Sequence, residues 1–146
     1  MTMGFPYRKI LCPIDFDENS LAALDKASEL ARHFDAAMAV VHVIPIIVQY
    51  GQGAIPPPIY SDKEARARLT ALTQKKLAGI PHEEILYTGD VAGSILQSIG
   101  RFGPDLVVMA THGRSGIARL FLGSVAEAVV RKANCPVLTI RPEQSS

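Results

Sequence analysis

The strongest constraint in this sequence is an alternation. Short apolar runs of strand length take turns with longer segments whose apolar residues recur at helical spacing. The first run is KILCPI, residues 9–14, a buried strand by its continuous apolar character. In the next segment, residues 17–34, Leu21, Leu24, Ala27, Leu30, Ala31 and Phe34 share one helical face, and Asp17 or Asn19 is placed to cap its start. Residues 36–44 form a second, valine-rich strand. A second helix spans residues 61–79, with Ser61 and Glu64 as a capping box and Gly79 closing it. Residues 83–89 are a third strand. A third helix is capped by Asp90 and ended by Gly103-Pro104. Residues 105–110 are a fourth strand, 124–134 a fourth helix and 136–141 a fifth strand.

Strict β-α alternation with continuous apolar strands implies a parallel sheet covered by helices on both faces. Right-handed crossovers restrict its topology. The 146 residues suit a single domain, with its core over residues 7–141 and a frayed tail at 142–146. One connection is unusual. Residues 45–60 contain four prolines and two glycines, long for a βα loop, and read equally as a lid, a partner site or a tolerated surface insertion.

Several functions lack support. Fifteen basic residues stand against 14 acidic ones, so net charge gives no argument for nucleic acid or an anionic membrane. No segment approaches the roughly 20 apolar residues of a membrane span, and the N-terminus has no signal-peptide core, so a cytoplasmic protein is the expectation. Cys12 and Cys135 have no metal-site spacing. No general base, carboxylate pair or triad is evident, so parts that would activate water are not identifiable and efficient hydrolysis is not expected.

In a doubly wound sheet, ligands bind beyond the carboxyl ends of the strands, where strand order reverses. Two segments have the composition for it. CPIDFDENS leaves the first strand with Asp15 at its tip, and THGRSGIARLFLGSV links the fourth strand to the fourth helix. If those strands are neighbours, the two loops share a crevice. Glycines allow close approach to main-chain N–H groups, a helix N-terminus favours anions, and Arg114 and Arg119 can add charge-assisted contacts. No lysine follows these glycines as a Walker A loop requires, and no glycine follows the first strand as a dinucleotide fingerprint requires. There are plainer readings. Ser124 and Glu127 match a capping box, Asp15 suits a turn, and His42 suits packing or hydrogen bonding at the end of the second strand.

The spacing Ala110-x2-Gly113-x9-Gly123-Ser124 resembles the G-x2-G-x9-G-[S/T] pattern of the universal stress protein family. ILCPIDFDENSLAAL, VVHVI, DLVVMATHGRSG and LGSVAEAVVRKANCPVLTIR extend the resemblance over residues 7–141. It implies an adenine-nucleotide α-hydrolase-like fold with strand order 3-2-1-4-5. It also implies a module that binds ATP, or ADP or AMP in its place, with Mg²⁺. Pro13, Ile14 and Asp15 would meet adenine and ribose, and the Val43 backbone would meet adenine. Met109, Ala110, Thr111 and His112 would also belong to the nucleotide-binding site. Gly113, Arg114, Ser115 and Gly116 would form its near side, and Gly123, Ser124 and Val125 would hold the phosphates. Ala110 departs from the pattern, and its methyl matters if that position needs a positive φ. The fifth strand would be an edge, so a homodimer through Val137, Leu138, Thr139 and Ile140 is expected. Two alternatives remain. One is a homodimeric interaction protein of this fold that binds no nucleotide. The other is a slow ATPase or autokinase with Ser124 or Thr111 as phosphoryl acceptor.

Overall fold

The computed structural model describes residues 5–46, 60–112 and 122–141. The elements follow the expected alternation: β1 Lys9–Ile14, α1 Glu18–Phe34, β2 Ala37–Pro45, α2 Asp62–Lys76, β3 His82–Gly89, α3 Val91–Phe102, β4 Leu106–Ala110, α4 Ser124–Lys132 and β5 Val137–Ile140. The strands form one parallel sheet in the order β3-β2-β1-β4-β5. The fold class is therefore the doubly wound α/β sheet, and β1 and β4 are neighbours at the point where strand order reverses.

Side-chain alternation along the strands divides the core in two. Met38 and Val40 of β2 pack with Leu24, Ala27 and Ala31 of α1 and Leu69 of α2. Ala39, Val41 and Val43 point the other way and pack with Ile95 and Ile99 of α3 and Ala126 and Val129 of α4. His42 has the parity of Met38 and Val40, so its ring lies on the α1/α2 side.

Local chemistry sets most helix ends. Asp17 is the N-cap of α1, Ser61 of α2 and Asp90 of α3. Each side chain accepts from the backbone N–H three residues on. Two ends depart from the sequence reading. Helix α2 stops at Lys76, because Leu77 turns fully into the core as the C-cap. Gly79, at φ 81°, serves the turn after it rather than closing the helix. Helix α4 has Gly123 as its N-cap, so Ser124 is its first residue and the Ser124–Glu127 capping box does not form. The Glu127 carboxylate is exposed and pairs with Arg131 one turn on.

A proline opens the crevice at the switch point. The Arg8 carbonyl accepts from Ala37 on the β2 side, and the Lys9 carbonyl accepts from Asp105 on the β4 side. Odd residues of β1 therefore face β4. Pro13 is one of them and has no N–H to give. The β1–β4 pairing ends at Leu11–Val107, whereas the β1–β2 pairing runs on to Ile14–His42.

Candidate functional site

Two connections leave the sheet at this opening. The first is residues 15–17. The Asp15 N–H donates to Ser20 Oγ at 3.1 Å, and Asp15 Oδ1 accepts from the Asp17 N–H at 3.1 Å. Asp17 Oδ1 in turn accepts from the Ser20 N–H at 2.8 Å. Between the two aspartates, Phe16 sits at φ 67°. A side chain in that left-handed region costs about 1–2 kcal/mol. The ring has partners that offset this: the Arg68 guanidinium lies 4.3 Å above its centroid and the His42 ring is 4.6 Å away.

Burial raises the Asp17 carboxyl above its ordinary range, and so do its hydrogen bond to Asp15 and that neighbour's charge, while hydrogen bonds from Ser20 oppose the shift. The Cys12 thiol is pushed far up by burial. Cys135 is also raised, by burial first and then by the Asp105 charge. Neither thiol is poised as a nucleophile.

The second connection runs from β4 to α4. Thr111 is buried. Its N–H donates to the Ile140 carbonyl at 3.0 Å, and its carbonyl accepts from the Gly123 N–H at 2.7 Å. The two ends of the connection are thus clasped. A Cβ on Gly123 would lie 3.2 Å from the Thr111 carbonyl oxygen, so glycine fits here by close approach rather than by a special φ. His112 lies against this clasp. Its Nδ1 is 3.1 Å from Thr111 Oγ1, while Nε2 is buried without a hydrogen-bond partner among the described residues. An orphaned buried polar atom costs about 1–3 kcal/mol and calls for an explanation. Asn19 Nδ2 of α1 is 3.5 Å from the His112 carbonyl, a long contact that puts the two connections side by side.

A cavity of about 400 Å³ lies at the same end of the sheet, within the range of small-molecule pockets. Pro45 and Ile46 at the end of β2, Gly89 to Ala92 between the end of β3 and the start of α3, and Ser124 and Val125 at the start of α4 line it. Gly89 has φ 144°, a conformation open to glycine, and it turns the chain from β3 into the Asp90 cap.

The expected site residues fall into three groups. Pro13, Ile14, Asp15, Ala110, Thr111, His112 and Gly123 stand at or beside the β1–β4 opening, and Ser124 and Val125 line the cavity. Val43 and Met109 are buried on the α3/α4 side of the sheet. Gly113, Arg114, Ser115 and Gly116, with Arg119, lie outside the described residues, as do residues 47–59 of the proline-rich connection. Ala110 ends β4, pairs with Ile140 and has no positive φ, so its backbone makes no demand for glycine. The sequence reading missed the wall formed by Pro45, Ile46 and Gly89 to Ala92. Its signal was the Gly-Asp pair after the third strand, at the same edge of the sheet. Among the described residues, no three histidine, cysteine or carboxylate side chains are grouped to hold a metal ion. No described helix is long and apolar enough to cross a membrane.

The fold and site together define an α/β sheet protein with an open helix N-terminus at its switch point. A profile of the universal stress protein family matches residues 6–141, and the chain belongs to that family. It is 34% identical to universal stress protein MJ0531 of Methanocaldococcus jannaschii over 92% of this chain and 82% of that protein. Its fold superimposes on protein MJ0577 of the same organism with TM-score 0.77 at 23% identity, covering 95% and 99% of the two chains. It also superimposes on an Archaeoglobus fulgidus universal stress protein solved in complex with dAMP, with TM-score 0.64 at 25% identity, covering 91% and 97%.

Proposed function

We propose that this chain binds an adenine nucleotide at the β1–β4 opening and serves as a nucleotide-responsive stress or signalling module without efficient catalysis. One observation carries the reading. Side chains cap α1, α2 and α3, but no side chain among the described residues caps α4, which starts at the opening. Its first N–H groups remain for an anion, and the helix dipole adds to their attraction. The orphaned His112 Nε2 beside Gly123 supports the reading, since a ligand there would supply its missing partner. The dAMP complex of the Archaeoglobus relative supports the adenine class.

In this reading ATP places its phosphates at Gly123, Ser124 and Val125, and its ribose near Asp15. Residues 113–116 complete the phosphate loop. Mg²⁺ would be held mainly by phosphate oxygens and water, which asks little of the protein. Buried Thr111 makes a poor phosphoryl acceptor, and exposed Ser124 a better one. Calorimetric titration of nucleotide-stripped protein with MgATP tests the proposal. Millimolar MgATP without heat of binding would refute it.

A homodimer through β5 belongs to the same proposal. The strand is at the sheet edge, and Leu138 is 39% exposed there. Antiparallel pairing of two copies would cover Val137 to Ile140. Leu138→Asp is expected to shift sedimentation from dimer to monomer, and a monomeric wild type at micromolar concentration would end this part of the reading.

A further inference from the structure

A cluster on the α1/α2 side of the sheet has no part in the function proposed so far. His42 is almost wholly buried at the end of β2. Its Nδ1 is 2.8 Å from the Ile14 carbonyl. A carbonyl only accepts, so Nδ1 carries the proton. In the neutral ring Nε2 is then the acceptor, and the Tyr60 hydroxyl is hydrogen-bonded to it. The Tyr60 ring stacks on His42 at 5.8 Å and 14°. Phe16 packs on the other part of this group, tilted against His42, and Arg68 of α2 covers the Phe16 ring. Three segments therefore gather on the two residues that flank Asp15: His42 of β2 holds the Ile14 carbonyl and the Phe16 ring, Arg68 of α2 covers that ring, and Tyr60 before α2 backs His42.

The position of Asp15 depends on both flanks. The left-handed φ of Phe16 reverses the chain so that the Asp17 N–H reaches back to Asp15 Oδ1. The His42 bond fixes the last carbonyl of β1 immediately before it. A carboxylate meant to accept from both hydroxyls of a ribose must be held in one orientation, because two directed hydrogen bonds are lost together if it turns. The aromatic group supplies that restraint from the face of the sheet opposite the cavity.

We infer that Phe16, His42, Tyr60 and Arg68 are positioning residues that set the Asp15 carboxylate for a ribose diol. Tyr60 makes the chain leading into α2 a determinant of nucleotide affinity. The inference rests on the nucleotide reading above. It adds that sugar recognition is controlled from a cluster that does not touch the ligand.

The test compares MgATP with Mg-2′,3′-dideoxy-ATP on the full chain by calorimetry. Phe16→Gly keeps the left-handed backbone and removes the ring. Tyr60→Phe keeps the ring and removes only the hydroxyl, which guards against a folding failure in the first variant. Phe16→Gly is expected to weaken MgATP about tenfold and Tyr60→Phe about threefold, with the dideoxy nucleotide unchanged in both. Equal weakening of both nucleotides would make the cluster merely structural and overturn the inference. So would wild-type affinity for MgATP in both variants. A wild type that binds neither nucleotide overturns the nucleotide reading itself, and the role given to Asp15 goes with it.

Discussion

Helices α1 and α4 both begin at one crevice, where Asn19 Nδ2 of α1 is 3.5 Å from the His112 carbonyl, yet their first turns are built differently. Helix α1 is closed by its own sequence. Asp17 accepts from the Ser20 N–H, and Asp15 accepts from the Asp17 N–H. Helix α4 starts from a glycine whose N–H is spent on the Thr111 carbonyl, and no side chain among the described residues caps it. A carboxylate already at an N-terminus satisfies the donors and repels a second anion. The α1 end can therefore offer a carboxylate to hydroxyl groups but has little for a phosphate. The α4 end offers N–H groups. The difference assigns sugar and phosphate to opposite walls of one opening.

The most damaging test is to give α4 the cap that α1 has. In Gly123→Asp a carboxylate would occupy the N-cap and close the first turn, with its Cβ crowding the Thr111 carbonyl. Loss of two or three charge-assisted hydrogen bonds, with repulsion added, is expected to weaken MgATP by about a hundredfold or more. Retained affinity in calorimetry would show that the phosphates lie elsewhere.

The reverse change sharpens the contrast. Ser61→Ala removes the cap of α2 and leaves the neighbouring Tyr60 ring and hydroxyl in place. A stability loss of about 1 kcal/mol is expected in urea titration. MgATP affinity should stay at the wild-type level. If binding falls as it does in the α4 variant, cap chemistry as such is not what separates the helices.

Ala110 tests whether the clasped β4–α4 connection wants glycine at its start. Ala110 lies in a regular strand without positive φ. Ala110→Gly is therefore expected to cost about 0.5–1 kcal/mol through chain entropy, with no gain in affinity. A tenfold gain for MgATP would mean that the methyl group stands in the ligand's way.

The contrast between the helices was partly legible in the sequence. Capping acts over three residues, so Asp17, Ser61 and Asp90 announced their helices locally, and the apolar runs marked the strands. The Ser124–Glu127 pair matched the same pattern without forming it, because Gly123, held by the Thr111 carbonyl, takes the N-cap and leaves Ser124 as the first helical residue, where the sequence reading started the helix. That interaction crosses the connection and has no local signature. Pro13 was visible, but its effect depends on which neighbour odd residues of β1 face, a fact of register. The cavity wall at Pro45, Ile46 and Gly89 to Ala92 needed the strand order before its parts could be brought beside α4. The grouping of Phe16, His42, Tyr60 and Arg68 draws on four segments at once. The sequence placed only His42, as a packing or hydrogen-bonding residue at the end of the second strand, and it does both.

The smallest expected effect separates the two helix starts by pH. The cap of α1 titrates, whereas Gly123 has no side chain to titrate. Burial, with the bond to Asp15 and its charge, raises the Asp17 carboxyl above its ordinary value of 3.8. The folded chain therefore holds this proton more tightly than the unfolded chain does. Linkage then gives a stabilising contribution that is full below 3.8 and is lost as pH rises through the elevated folded value. Asparagine also caps well but does not titrate. Urea titrations of wild type and Asp17→Asn across the acid range should show wild type losing stability relative to the variant as pH climbs above 3.8. The Gly123→Ala protein, altered at the other helix, should follow the wild-type pH course with a constant offset. A wild-type advantage that grows with pH would mean that the Ser20 hydrogen bonds outweigh burial at Asp17, and that the α1 cap is held as a carboxylate throughout.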